Sequence, residues 1–151
     1  MIEGVVTKKL KVVPDERGFL MEMMRSDDPH FEKFGQAYLS VGYPGVIKGW
    51  HYHKKQKDNF FIVRGTAKVV LYDMREKSGT RGEINEFFIG ERNPLMVHIP
   101  ANVAHGFKAV GDETAYLINI PTELYNYEQP DEHRIDPHGG EIPYDWACKD
   151  S

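Results

Sequence analysis

The sequence contains a single cysteine, Cys148, close to its C-terminus. One thiol makes neither an internal disulfide nor a Cys-rich zinc site, and at that position it reads as an incidental tail residue. No apolar run approaches the roughly 20 residues of a membrane span, so no membrane partner is expected. The opening stretch from Met1 to Val13 alternates apolar and polar residues and lacks a signal-peptide core. The expected compartment is therefore the cytoplasm. Nor is there an excess of base: 19 Lys and Arg stand against 23 Asp and Glu, for a net charge of −4 at pH 7. That balance excludes the basic footprint of a nucleic-acid binder, and any anion must be held by a few local cations. Repeats, low-complexity tracts and linkers are absent too. The 151 residues, 40% hydrophobic and 28% charged, fit one domain spanning residues 1–151. A chain of that size buries about two-thirds of its unfolded surface.

What is present is a succession of short β-type runs separated by Gly, Pro, Asn and Asp. Val5 to Val13 reads as a strand, Asp15 to Gly18 as a turn, and Phe19 to Arg25 as the next strand. Ser-Asp-Asp-Pro at Ser26 is a helix-start signal and predicts one short helix over Ser26 to Gly35. Gln36 to Val41 is a strand, closed by turn chemistry at Gly42 to Gly45. Val46 to His53, Asn59 to Val63, Ala67 to Asp73, Ile84 to Ile89, Leu95 to Ile99, Gly106 to Val110 and Thr114 to Ile120 follow as strands, with a tight hairpin at Arg64 to Thr66. Strands at this spacing predict a sandwich or barrel, all-β apart from the short helix. Beyond Pro121 the chain turns polar and proline-bearing, as an irregular C-terminal tail that wraps the surface or covers an opening.

The densest chemistry lies between Gly49 and Gly65. His51 and His53 are two apart on a strand, so their side chains share a face. Four residues separate His53 from Asp58, and six separate Asp58 from Gly65. A second segment, Pro100 to His105, brings a further histidine. His-x-His, an acid, a Gly turn and then Pro-x-x-x-x-His is the layout of a cupin-type jelly roll, a double-stranded β-helix. His51, His53, Asp58 and His105 offer three imidazoles and a carboxylate, a set that suits a divalent metal. The same histidines can equally hydrogen-bond in a pocket without metal. Arg17, Glu22 and Lys48 form a second group, of the kind that recognises phosphate or diphosphate. Tyr125, just past the last core strand, has a phenol able to protonate a carbanion or enolate, or a ring that simply packs under the tail.

Between Val12 and Trp146 the chain resembles the dTDP-4-dehydrorhamnose 3,5-epimerase family of nucleotide-sugar cupins. The family's Asp-Glu-Arg-Gly-Phe stands at Asp15 to Phe19, followed by Glu22. Its Gln-x-x-x-Ser appears as Gln36 and Ser40, and its Arg-Gly-Leu-His-Tyr as Lys48 to Tyr52. Asp73 to Arg75, Ser78 to Gly82, Ile99 to Phe107 and Thr122 to Tyr125 complete the series in order. The resemblance implies proton abstraction beside the C4 ketone of a 4-keto-6-deoxy sugar nucleotide, with no cofactor. His51 is the implied base and Tyr125 the acid on the opposite sugar face; by sequence, Lys48, or His105 if it lines the pocket, is the nearest group for the enolate charge. Arg17, Glu22, Gln36, Ser40 and His105 are the implied substrate contacts. The implied partner is a dTDP-linked sugar, and a homodimer is expected because short strands leave edges to be paired.

The chain also departs from the pattern. Asp58 stands where the family has a lysine that holds the enolate, with Lys57 one position away. Lys48 replaces an arginine, and Tyr38 an asparagine. The family's base is oriented by an aspartate in a tail reaching past the position of Ser151. A single epimerisation, a 3,4-keto isomerisation, another nucleotide sugar, a metal-dependent cupin enzyme and a non-catalytic sugar-nucleotide binder are the alternatives. A divalent metal on His51, His53, Asp58 and His105 belongs to the metal-dependent one.

Overall fold

A computed structural model describes residues 1–149. Its strands are β1 (Val6–Lys9), β2 (Val12–Asp15), β3 (Gly18–Met21), β4 (Tyr38–Gly42), β5 (Ile47–Tyr52), β6 (Asp58–Arg64), β7 (Thr66–Asp73), β8 (Ile84–Gly90), β9 (Leu95–Ile99), β10 (Val103–Ala109), β11 (Ala115–Asn119) and β12 (His133–Arg134). Two five-stranded antiparallel sheets, ordered β1-β9-β6-β11-β4 and β12-β5-β10-β7-β8, face one another, and β2 and β3 make a separate ribbon. This is the expected cupin-type jelly roll.

The period of two explains the layers. Along β7, Ala67, Val69 and Leu71 point into the space between the sheets and meet Ile89, Val97, Ile99, Val103 and Leu117. The alternate residue Val70 faces outward yet is also fully buried, because the C-terminal tail lays Ile142 and Trp146 over it beside Trp50 and Ala104. A strand covered on both faces reads as an almost unbroken apolar run. The first sheet is covered in turn: Met21, Met23 and Met24 pack on Phe61, Met96 and Leu10. The β6–β7 hairpin turns at Gly65, with φ +72° and Thr114 O only 2.5 Å from where a Cβ would stand. Only glycine meets both demands.

Three expectations change. There is no helix among the described residues, and Ser26 to Gly35 runs instead through turns, with Asp28 N bonded to Arg25 O and Phe31 N to Asp28 O. The Asp28 carboxylate, expected near a helix start, accepts from Arg25 N at 2.9 Å and from Lys8 Nζ at 2.7 and 2.6 Å. That local alternative outcompetes a segment too short to hold a helix alone. The strand expected from Val5 to Val13 breaks at Leu10, whose N bonds Pro94 O while its side chain is buried. Finally, the tail is not wholly irregular, since β12 adds to β5 with His133 opposite Tyr52 and Arg134 opposite His51.

Candidate active site

A cavity of about 400 Å³ opens between the sheets, within the range of small-molecule sites. β4 supplies Tyr38 and Ser40, β5 supplies Lys48 and His51, and β10 supplies His105 and Phe107. Gln36, His53, Gln56, Tyr125, Tyr127, Glu132 and Arg134 close it from the loops and β12. Antiparallel pairing sets His105 directly across from His51, and their rings lie 6.4 Å apart, centroid to centroid.

Each side chain is held. Lys48 Nζ donates to Ser40 Oγ at 2.7 Å and to Val41 O at 3.3 Å, which aims the ammonium along β4. Burial pushes the His51 pKa below the usual histidine value. The Glu132 carboxylate pulls it partly back, and Arg134 opposes that pull. His51 is therefore a neutral base at physiological pH. Burial takes His105 further, down to about 4. Tyr38 is pushed up to about 12 by burial and the nearby Asp58 charge, so its hydroxyl keeps its proton.

Behind these groups sits Asp58, 1% exposed. Its Oδ1 accepts from Gln56 Nε2 at 2.8 Å and Asn119 Nδ2 at 2.6 Å. Its Oδ2 lies 3.4 Å from both His53 Nε2 and His105 Nε2. The Asp131 carboxylate caps the loop after β5, accepting from the N–H groups of Lys54, Lys55 and Gln56, while the Asp131 carbonyl accepts from His53 Nδ1. Of the four residues expected as metal ligands, the fold gathers His53, Asp58 and His105, with ligand atoms within 4.8 Å of one another. His51 stands outside that group, facing the cavity.

Of the other expected site residues, His51, Lys48, Tyr125, Gln36, Ser40 and His105 all line the cavity. Arg17 and Glu22 do not. Arg17 is at the tip of the β2–β3 ribbon, 84% exposed and bound to Asp15, and Glu22 is an exposed partner of Arg25. Glu132, Arg134, Tyr127 and Phe107 are cavity residues that sequence reasoning missed. For Glu132 and Arg134 the only available signal was their two-residue spacing, at a strand of two residues, too short to show a period.

The sheets and their histidine-lined cavity define a cupin-type jelly roll with its ionisable side chains gathered at one site. The chain belongs to the dTDP-4-dehydrorhamnose 3,5-epimerase family, which it matches over residues 1–151, and so to the carbohydrate epimerases. It is 47% identical over 146 residues to the spore coat polysaccharide biosynthesis protein SpsL of Bacillus subtilis, covering 97% of each chain. It is also 47% identical over 150 residues to the "Probable low-salt glycan biosynthesis epimerase Agl13" of Haloferax volcanii, covering 98% of this chain and 96% of that one. Among solved structures, the dTDP sugar isomerase of Desulfovibrio desulfuricans G20 superposes with a TM-score of 0.92 at 34% identity, over 99% of this chain and 94% of the other.

Proposed function

We propose that the protein epimerises a 4-keto-6-deoxy nucleotide sugar, dTDP-linked, in the cytoplasm, by moving a proton on a carbon next to the C4 ketone. The observation that carries this is the placement of His51, Tyr125 and Lys48 around one cavity. His51, kept neutral by burial, takes the proton; the C–H electron pair moves into the new C=C bond and the carbonyl pair onto oxygen. Tyr125 then gives its phenolic proton to the other face of that carbon, which inverts it. Lys48, tethered to Ser40, meets the anionic part of the substrate. The names of the family and of the Desulfovibrio desulfuricans relative favour dTDP as the nucleotide.

The test is deuterium wash-in from solvent into dTDP-4-keto-6-deoxyglucose, read by NMR and mass. Wild type exchanges and inverts. His51→Asn loses exchange by about 10²-fold or more. Tyr125→Phe keeps wash-in but stops inversion, since abstraction does not need the phenol. Exchange at the wild-type rate in His51→Asn removes His51 as the base.

A further inference from the structure

We propose that His53, Asp58 and His105 bind one divalent transition-metal ion, and that this ion supplies the positive charge for the ketone oxygen while His51 remains free as the base. The binding site stands on geometry alone; its catalytic role rests on the epimerase reading above.

The ring nitrogens that carry hydrogen decide what each imidazole can do. A carbonyl oxygen only accepts. His53 Nδ1 meets the Asp131 carbonyl and His105 Nδ1 meets the Val103 carbonyl at 3.0 Å, so both Nδ1 atoms are donors. In a neutral ring that leaves Nε2 as a lone pair. Both Nε2 atoms lie 3.4 Å from the same atom, Asp58 Oδ2. The carboxylate cannot turn away, because Gln56 and Asn119 hold its other oxygen. Three acceptors thus converge in a buried place, where their repulsion is weakly screened. A cation between them converts that repulsion into binding.

The two imidazole-to-carboxylate separations of 3.4 Å match those around an ion. A charge-assisted hydrogen bond would close to about 2.7–2.9 Å. Ligand atoms about 2.0–2.1 Å from a tetrahedral metal stand roughly 3.3 Å apart. The surrounding bonds are those that orient metal ligands, with imidazole Nδ1–H on carbonyls and carboxylate oxygen on amides. Two imidazoles and one carboxylate suit Zn²⁺, Mn²⁺ or Fe²⁺. His53 and His105 both border the cavity, so an ion held there would be open to a ligand bound in it.

The neighbouring lysine does not neutralise Asp58. Lys57 pairs with Glu32 instead. The chain has an acid at the position where the family resemblance implies an enolate-binding lysine, and two histidines beside it. A metal ion at that acid restores the positive charge in another form, and because His51 stands apart from the cluster, base and metal act together on one substrate.

The experiment uses the tag-free protein, stripped with a chelator and titrated with Co²⁺, with elemental analysis and visible absorption as readouts. One Co²⁺ per chain is expected, with ligand-field bands, displaced by Zn²⁺. Asp58→Asn, which keeps an oxygen for Gln56 and Asn119, and His105→Gln should both lose the ion; His51→Asn should keep it. Far-UV circular dichroism checks folding, and His53→Gln replaces any variant that does not fold. Stripped wild type that takes up no Co²⁺, or uptake unchanged in the folded variants, overturns the site and leaves a shared proton between the acceptors. Wash-in should fall about tenfold or more on stripping and return with metal. Metal bound without any effect on wash-in overturns the catalytic role but not the epimerase reading. Metal bound in a protein that never exchanges protons overturns the epimerase reading while the site stands.

Discussion

Lys48 shows how one tether turns a flexible side chain into a recognition element. An ammonium on a four-carbon stem is costly to immobilise, yet the bonds to Ser40 Oγ and Val41 O fix it before substrate arrives. Lys48→Met should therefore weaken dTDP binding by about tenfold or more, the worth of one charge-assisted bond at roughly 1.5–3 kcal/mol. Ser40→Ala should cost less, because the charge survives and only its aim is lost. Calorimetric titration with dTDP measures both, and an unchanged affinity in Lys48→Met would place the anion elsewhere. At this scale much of the site was legible from the residues. His51, His53 and His105 declare themselves by strand spacing and a Pro-led turn, and Gln36, Ser40 and Tyr125 by the order of the family's motifs. Asp58 was legible as a ligand type but not as the atom on which two imidazoles converge, because that depends on Val103, Asn119 and Asp131, distant in sequence. Glu132 and Arg134 offered only a two-residue spacing, too little to mark them.

The turn after β7 shows how an element is finished. Asp73, fully buried, receives Arg75 Nε and Nη2 at 2.8 Å each, Ser78 Oγ at 2.6 Å and Thr80 Oγ1 at 2.7 Å, and Arg75 also reaches Glu3 O. Burial alone would raise the Asp73 pKa. The hydrogen bonds from Arg75, Ser78 and Thr80 outweigh it and hold the carboxyl well below the usual carboxylate range. The unfolded chain thus binds this proton more readily than the native one. The stabilisation is complete above the ordinary aspartate pKa of about 3.9 and is lost as pH falls below it. Asp73→Asn should cost roughly 3 kcal/mol at neutral pH and flatten the acid decline in Tm, read by scanning calorimetry. Parallel acid slopes in the two proteins would assign that decline to other carboxylates. The same local competition explains the misread helix. Ser26 to Gly35 has a helix-start signal, but the Asp28 carboxylate spends its acceptors on Lys8 and a turn, a long-range partner invisible in the local sequence. The central strands from β5 to β11 were legible because a two-sided core writes itself as long apolar runs, whereas the break at Leu10 and the early end of β3 at Met21 were not.

Across the molecule as a whole, the β2–β3 ribbon is an uncovered apolar element. The β2–β3 ribbon pairs only with itself, with Phe19 68%, Leu20 61% and Val13 47% exposed. A lone two-stranded ribbon is marginal in water, and an apolar one invites a partner. We propose that a second copy of the chain covers it in a two-fold dimer. The same ribbon carries Arg17 at its tip, outside the cavity of its own chain, where a nucleotide contact is within reach only if the ribbon lies against a partner's pocket. Phe19→Asp with Leu20→Asp should give monomers by analytical ultracentrifugation, and a dimer that survives both changes would show that the interface lies elsewhere. Arg17→Ala should keep the dimer and weaken dTDP binding about tenfold. Mixing decides whether Arg17 acts across the interface. Arg17→Ala and His51→Asn chains are each impaired alone, but in a mixed dimer the pocket that retains His51 receives Arg17 from its partner. With equal mixing half the dimers are mixed and one of their two pockets is intact, so activity should climb toward about a quarter of wild type. No recovery, from chains shown to have exchanged subunits, would return Arg17 to its own chain and remove it from the nucleotide site.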